Sequence, residues 1–127
     1  MTGSTREDPR LVRLSEICAR LPDFTRDYNG QHASFRVRKR TFAYYMDDHQ
    51  GDGMVVVAFK AAEGMNEGLA ESDPDRFVLT AYLWHKGWLS LRLDAGEIDW
   101  DEVADFVTDS YLMVAPKRLA AQVEQGS

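Results

Sequence analysis

Between Gln31 and Met46, QHASFRVRKRTFAYYM, apolar and polar positions alternate. Phe35 and Val37 fall between Ser34, Arg36 and Arg38, the period-2 pattern of a strand with one dry face and one wet face. After Lys39 and Arg40 the chain returns through Phe42, Tyr44 and Met46, so the pattern predicts a hairpin with a basic turn. Upstream, Leu11, Leu14, Cys18 and Leu21 recur at helical spacing behind Asp8-Pro9. That pair reads as an N-cap followed by proline at the first helical position. Pro22 ends this amphipathic helix. Phe24 to Tyr28 reads as a short strand and Asn29-Gly30 as a turn.

Asp47 to Gly53 is a polar loop, and Met54 to Lys60 is a nearly continuous apolar run rich in β-branched residues, which predicts a central strand. Met65 to Ser72 suits a short helix, weakened by Gly68. Asp73-Pro74-Asp75 is a turn, and Phe77 to Leu83 fits strand or helix equally by period. His85-Lys86-Gly87 turns the chain into Trp88 to Asp94. There Leu89, Leu91 and Leu93 face one way and Trp88, Ser90 and Arg92 the other. Asp99 and Glu102 have capping-box spacing ahead of a stripe of Val103, Phe106, Val107, Tyr111 and Val114. Pro116 opens a last helix to Glu124. This order predicts the α+β class: a single antiparallel β-sheet with helices at both chain ends packed on one face. The other face is expected to stay partly open to water. One domain spans 1–127, with residues 1–7 and 125–127 as flexible tails.

Composition narrows the function classes. The 127 residues are 44% hydrophobic and 28% charged, which suits a soluble domain with its own core. No apolar run approaches the roughly 18 residues of a membrane span, and the N-terminus lacks a signal-peptide core, so the cytoplasm and no membrane partner are expected. Cys18 is the one cysteine, which excludes an internal disulfide; its place on the helical stripe marks it as a small buried apolar residue. The net charge of -6 weighs against non-specific nucleic-acid binding, although a local basic strip survives such an average.

Arg36, Arg38, Lys39 and Arg40 form that strip. A β-ribbon with a cationic tip can straddle phosphates; the plainer reading is a charged strand face that keeps an edge soluble. Trp88 and Arg92 share a strand face, where an exposed tryptophan beside arginines would stack on a base or planar ligand. Packing of Trp88 beneath the short helix is the alternative. Lys60, Arg92 and Lys117 are grouped as a possible shared pocket, against the view that Lys117 is plain surface. Asp47, Asp48, His49 and Asp52 share one loop, but their spacing fits no calcium loop and is ordinary turn composition. His32 is expected as a buried, hydrogen-bonded residue at a strand start. No phosphate loop, nucleophile elbow or zinc-protease helix is present, so no catalytic residue, metal or cofactor is assigned.

His32-x-Ser34-Phe35-x-Val37, Arg40-x-Phe42-Ala43, Lys60, Gly87-Trp88, Ser110-Tyr111 and Ala115-Pro116-Lys117, taken in order, resemble the MmcQ/YjbR-like proteins from about Leu11 to Leu119. The resemblance implies a CyaY-like α-β sandwich, the fold of frataxin, and a DNA-binding label described as a double-wing motif. It brings no catalytic residues. Frataxin kinship raises iron, but the first helix carries Arg10, Arg13 and Arg20 rather than an acidic row, so iron donation is not supported. Lys39 stands where the family often has glycine. A type I′ turn needs positive φ, which lysine tolerates poorly, so a longer or bulged tip is expected. The functional expectation is a cytoplasmic, non-catalytic binding protein, monomeric or weakly dimeric, that touches DNA through the basic hairpin. The alternative is a module that receives a protein or a small anionic ligand on the open sheet face.

Overall fold

The structure, a computed structural model, describes residues 8–28, 32–48 and 51–126. The expected Met1–Glu7 tail, the Asn29-Gly30 turn, Gln31, His49 and the last residue, Ser127, lie outside the described residues. Helix α1 is Pro9–Cys18, followed by β1 Phe24–Tyr28, β2 Ala33–Val37, β3 Arg40–Asp47 and β4 Val55–Lys60. Then come α2 Met65–Ser72, β5 Phe77–Leu79, a 3₁₀ turn Trp84–Lys86, β6 Trp88–Arg92, α3 Trp100–Val114 and α4 Lys117–Gly126. The strands form one sheet in the order β1-β2-β3-β4-β6-β5, with every neighbouring pair antiparallel. The α+β class and the single antiparallel sheet stand as expected from the sequence. Helix α4 runs on to Gly126, so residues 125 and 126 of the expected tail are helical.

Local chemistry accounts for the helix ends. Asp8 caps α1 by accepting from the backbone N–H of Arg10 at 2.8 Å, and the Arg10 guanidinium beside it holds its carboxyl below the usual carboxylate range. Asp99 caps α3 by accepting from the N–H groups of Asp101 and Glu102. Glu102 does not close the expected capping box; it accepts from Arg76 at 2.7 Å and so ties α3 to the entry of β5. Helices α1 and α3 bury their stripes on one sheet face, where Phe42 meets Tyr111 edge-on at 5.3 Å and Phe59 stacks on Phe106 at 4.6 Å. Cys18 is fully buried there, and burial pushes its thiol far above its ordinary value, which removes thiolate chemistry.

Two departures from the expected hairpin matter for the site. Val37 pairs with Arg40, so the turn has two residues, Arg38 and Lys39, both at positive φ (49° and 70°). The tip is therefore neither longer nor bulged, and the chain accepts the strain of two side chains in left-handed backbone. The irregularity lies in the strand instead: Phe35 pairs with Ala43 and Arg36 with Thr41, which leaves Phe42 as an extra residue. Its carbonyl accepts from the Ser110 hydroxyl at 2.6 Å, and the same Ser110 oxygen accepts from the Lys60 N–H at 2.9 Å. One buried hydroxyl thus satisfies two backbone groups beside the bulge. The bulge also divides a run that alternation would place on one face. Phe42 enters the core, while Tyr44 and Met46 line a groove on the far side.

The far face is only half open. Along β4, β6 and the end of β5 it is covered: Val56, Ala58, Thr80, Trp88 and Ser90 are all buried. Thr80 and Ser90 join their hydroxyls at 2.9 Å and pin down the segment that follows β5. Strand β6 is accordingly buried on both faces up to Arg92, rather than half-buried as its alternation implied.

Removing the Ser110 hydroxyl orphans a buried carbonyl and a part-buried N–H, at about 1–3 kcal/mol each. Ser110→Ala is therefore expected to lower the unfolding free energy by roughly 2–4 kcal/mol in urea denaturation, with an unchanged denaturant slope. Lys39→Gly should do the opposite. Relief of left-handed strain (about 1–2 kcal/mol) exceeds the entropic cost of glycine (about 0.5–1 kcal/mol), so the urea midpoint should rise.

Candidate functional site

The residues singled out from the sequence do not converge. Arg36 lies on the far sheet face and pairs with Asp27 at 2.8 Å. Arg38 donates through Nε and Nη2 to one Asp23 oxygen at 3.1 and 2.9 Å. Two cations of the basic strip are thus each matched by a carboxylate, which leaves Lys39 and Arg40 exposed at the tip. Arg92 pairs with Asp94 through two bonds of 3.1 and 3.2 Å, at the opposite end of its strand from Trp88. Four residues of strand separate the two by roughly 13 Å. Trp88 is buried, so of its two expected settings the packed one holds; it leans on Tyr44 at 5.4 Å, its N–H donates to Leu83 O at 3.4 Å, and Asn66 of the short helix α2 donates to its carbonyl at 3.2 Å. Lys60 opens onto a separate polar cavity of about 430 Å³, which it shares with Glu63, Glu67, Trp84, His85 and Lys86. Lys117 is exposed in the first turn of α4.

What the structure does bring together is a groove of about 510 Å³ on the far face. One wall is β1 and β2, with Asp27, Tyr28, His32, Ser34 and Arg36; the floor is Tyr44 and Met46 of β3. The other wall is the segment Thr80 to Leu83. The volume suits an organic molecule of ordinary metabolite size. Each part has a local cause. Ser34 and Arg36 point into the groove because Ala33, Phe35 and Val37 are claimed by the core. Tyr44 and Met46 face it because of the bulge at Phe42. The Thr80–Leu83 wall is held by the Thr80–Ser90 hydroxyl pair and by backbone bonds from Leu83 N and Trp84 N to Thr80 O, at 3.2 and 2.9 Å.

Tyr82 is the outlier of this wall. Its φ is 67°, a conformation that bulky side chains rarely adopt, and its side chain stands 72% exposed at the rim. Tyr28 is 43% exposed, but it pairs with core-facing Ala33 and its ring meets the Arg26 guanidinium at 5.4 Å on the helix side of β1. Sequence reasoning missed most of this site. Tyr44 and Met46 were visible as part of an alternating run, but the bulge that turns them outward was not. Phe77 to Leu83 carried no decisive period, and an exposed tyrosine in left-handed backbone has no sequence signature. Among the described residues, no group of three or more His, Cys, Asp or Glu side chains is placed to hold a metal ion. Tyr45, on the core side, has its hydroxyl buried without a hydrogen-bond partner among the described residues, and burial pushes that phenol well up.

If Tyr82 served stability, glycine there would cost stability. The expected result is the reverse: Tyr82→Gly should raise the unfolding free energy by roughly 1 kcal/mol, since left-handed strain outweighs glycine's entropy. Thermal and urea unfolding measure it.

Comparison with known proteins agrees with this architecture. No curated protein matches the chain. Among solved structures it is similar to the crystal structure of the Deinococcus radiodurans protein DR2400, described as a DUF419 domain, with a TM-score of 0.69. The identity is 20%, over 90% of this chain and 87% of that one, a likeness of fold. The YjbR family model matches residues 19–113, three quarters of the chain, and on that match this protein belongs to the YjbR family.

Proposed function

We propose that this protein is a non-catalytic binding module that takes a small organic ligand into the groove between β1–β3 and the Thr80–Leu83 segment. The observation that carries this reading is the strained, solvent-exposed Tyr82 at the rim of a mainly apolar groove. Backbone strain of this kind persists only where the surroundings hold it, and it collects at ligand clamps. The exposed Tyr82 ring above a floor that includes Tyr44 is the second support, because exposed aromatic surface costs solubility and offers contact area.

Contact with DNA through the hairpin is the second reading, favoured by the exposed Lys39 and Arg40 on a tight turn. It ranks lower because Arg36 and Arg38 already face carboxylates. Phosphate affinity scales with the number of cations free to replace counterions. The chain's net charge of -6 adds a general repulsion. As for membranes, no described helix is long and apolar enough to cross one.

The test uses 8-anilinonaphthalene-1-sulfonate, whose fluorescence rises in apolar sites. The folded protein should bind one equivalent saturably. Ala81→Trp, which fills the groove from an exposed position, should weaken binding at least about tenfold with the near-ultraviolet circular dichroism of a packed core retained. Val12→Asp, on α1 away from the groove, should leave binding unchanged. Equal binding by the Ala81→Trp protein would overturn the groove reading. A labelled DNA duplex, titrated at two salt concentrations beside Lys39→Ala/Arg40→Ala, separates the second reading.

A further inference from the structure

The groove offers more than apolar volume, and its one charged feature restricts what it can hold. Arg36 and Asp27 meet at 2.8 Å on the β1–β2 wall, and both line the groove. They sit on adjacent strands one diagonal step apart, since Asp27 pairs with Ser34 and Thr25 with Arg36. The contact runs from Arg36 Nη1 to Asp27 Oδ2. A guanidinium carries five N–H donors and a carboxylate about four acceptor sites, so both groups keep capacity for a third partner. The pair is neutral overall. It therefore gives an anion little net attraction, and the nearby carboxylate opposes one. What the pair does present is a donor beside an acceptor at fixed spacing.

The aromatic groups set the shape. Tyr82 stands exposed at the rim and Tyr44 forms the floor, with Trp88 beside it at 5.4 Å. Tyr82 and Tyr44 suit a flat, polarizable ring, which can stack on a phenol face. Flat rings with a donor next to an acceptor on one edge are the purine and pterin class of heterocycle. A guanine-type edge places two N–H groups beside a carbonyl oxygen: the N–H groups donate to the Asp27 carboxylate, and the carbonyl accepts from Arg36. This is the pairing chemistry that reads bases elsewhere, set on a sheet face with stacking aromatics.

On the groove reading above, the geometry points to a ligand that is an uncharged planar heterocycle of the purine or pterin class, recognised by Asp27 and Arg36 and stacked against Tyr82. Net charge -6 and the carboxylate in the wall favour the free base or nucleoside over a nucleotide or a strand. The side chains of Asp27 and Arg36 are 68% and 43% accessible, so either can be replaced without threatening the fold.

The experiment measures displacement of 8-anilinonaphthalene-1-sulfonate by guanosine, purine riboside, guanosine 5′-monophosphate and a guanine-containing single-stranded decamer. Guanosine should compete, and purine riboside, which lacks the exocyclic groups, should compete at least about tenfold more weakly. The monophosphate and the decamer should each fall below guanosine. A decamer that binds more tightly than guanosine would overturn the free-heterocycle source while upholding the base chemistry. Asp27→Ala gives the decisive sign: guanosine binding should drop to the level of purine riboside, while binding of the sulfonate dye strengthens because Arg36 loses its internal anion. Arg36→Ala should weaken both. Tyr82→Ala should weaken guanosine about fivefold or more. If the dye binds in the groove but no heterocycle displaces it, or Asp27→Ala leaves guanosine unchanged, this inference falls and the groove reading stands. If Ala81→Trp leaves dye binding intact, both fall.

Discussion

Much of the sheet's geometry hangs on one hydroxyl. Ser110 stands in the middle of the core, accepts from Lys60 N and donates to Phe42 O, and so supports the bulge in β3. A shift of one residue in a strand exchanges its two faces. With the bulge in place, Phe42 packs on Tyr111 in the core while Tyr44 and Met46 floor the groove. Tyr111, next along α3, donates to Pro22 O at 2.7 Å and anchors the chain just ahead of β1. The helical layer thus determines, through backbone bonds rather than apolar contact alone, what the opposite face of the sheet displays.

Charge on that face is organised by pairing across strands. Asp23 and Asp27 belong to the stretch that leads through β1, and each is spent on an arginine of the neighbouring hairpin. Exposed pairs of this kind contribute little stability, about 0–1 kcal/mol. Their effect is on potential: they turn what looks in one dimension like a run of four cations into two neutral couples and a small charged tip. The same holds at the far end of β6, where Arg92 is matched by Asp94.

The elements were largely legible in the sequence, because their causes are local. Asp8-Pro9 and Asp99 mark helix starts, Leu11, Leu14 and Cys18 mark a buried stripe, and the apolar run of β4 marks a central strand. What was not legible depends on partners distant in the chain. Ser110 lies 68 residues from the carbonyl it holds, so the bulge and the outward turn of Tyr44 had no local sign. Trp88 had a readable face but unreadable neighbours, since it packs on Tyr44 and its carbonyl accepts from Asn66, both far away in the chain. The strip Arg36 to Arg40 was visible, but its neutralisation needed the register of β1. The positive φ at Arg38 and Lys39 runs against residue preference, and the two-residue connection shows that strand pairing on either side overrode it.

The unequal covering of the sheet has a dynamic consequence. Strands β4 and β6 are sealed on both faces, whereas β1 and the groove side of β2 meet solvent, and local opening follows such differences in burial. Amide hydrogens of β4 and β6 should therefore form the slowest-exchanging unit, while β1 and its pairing to β2 should open at lower free energy. A molecule seated in the groove touches both regimes, with one side on the Thr80–Leu83 wall pinned to β6 and the other on the looser β1–β2 ribbon. Its binding would be registered chiefly as slowed exchange in that ribbon, so the half of the sheet least protected by its own packing is the half whose motions an occupant governs.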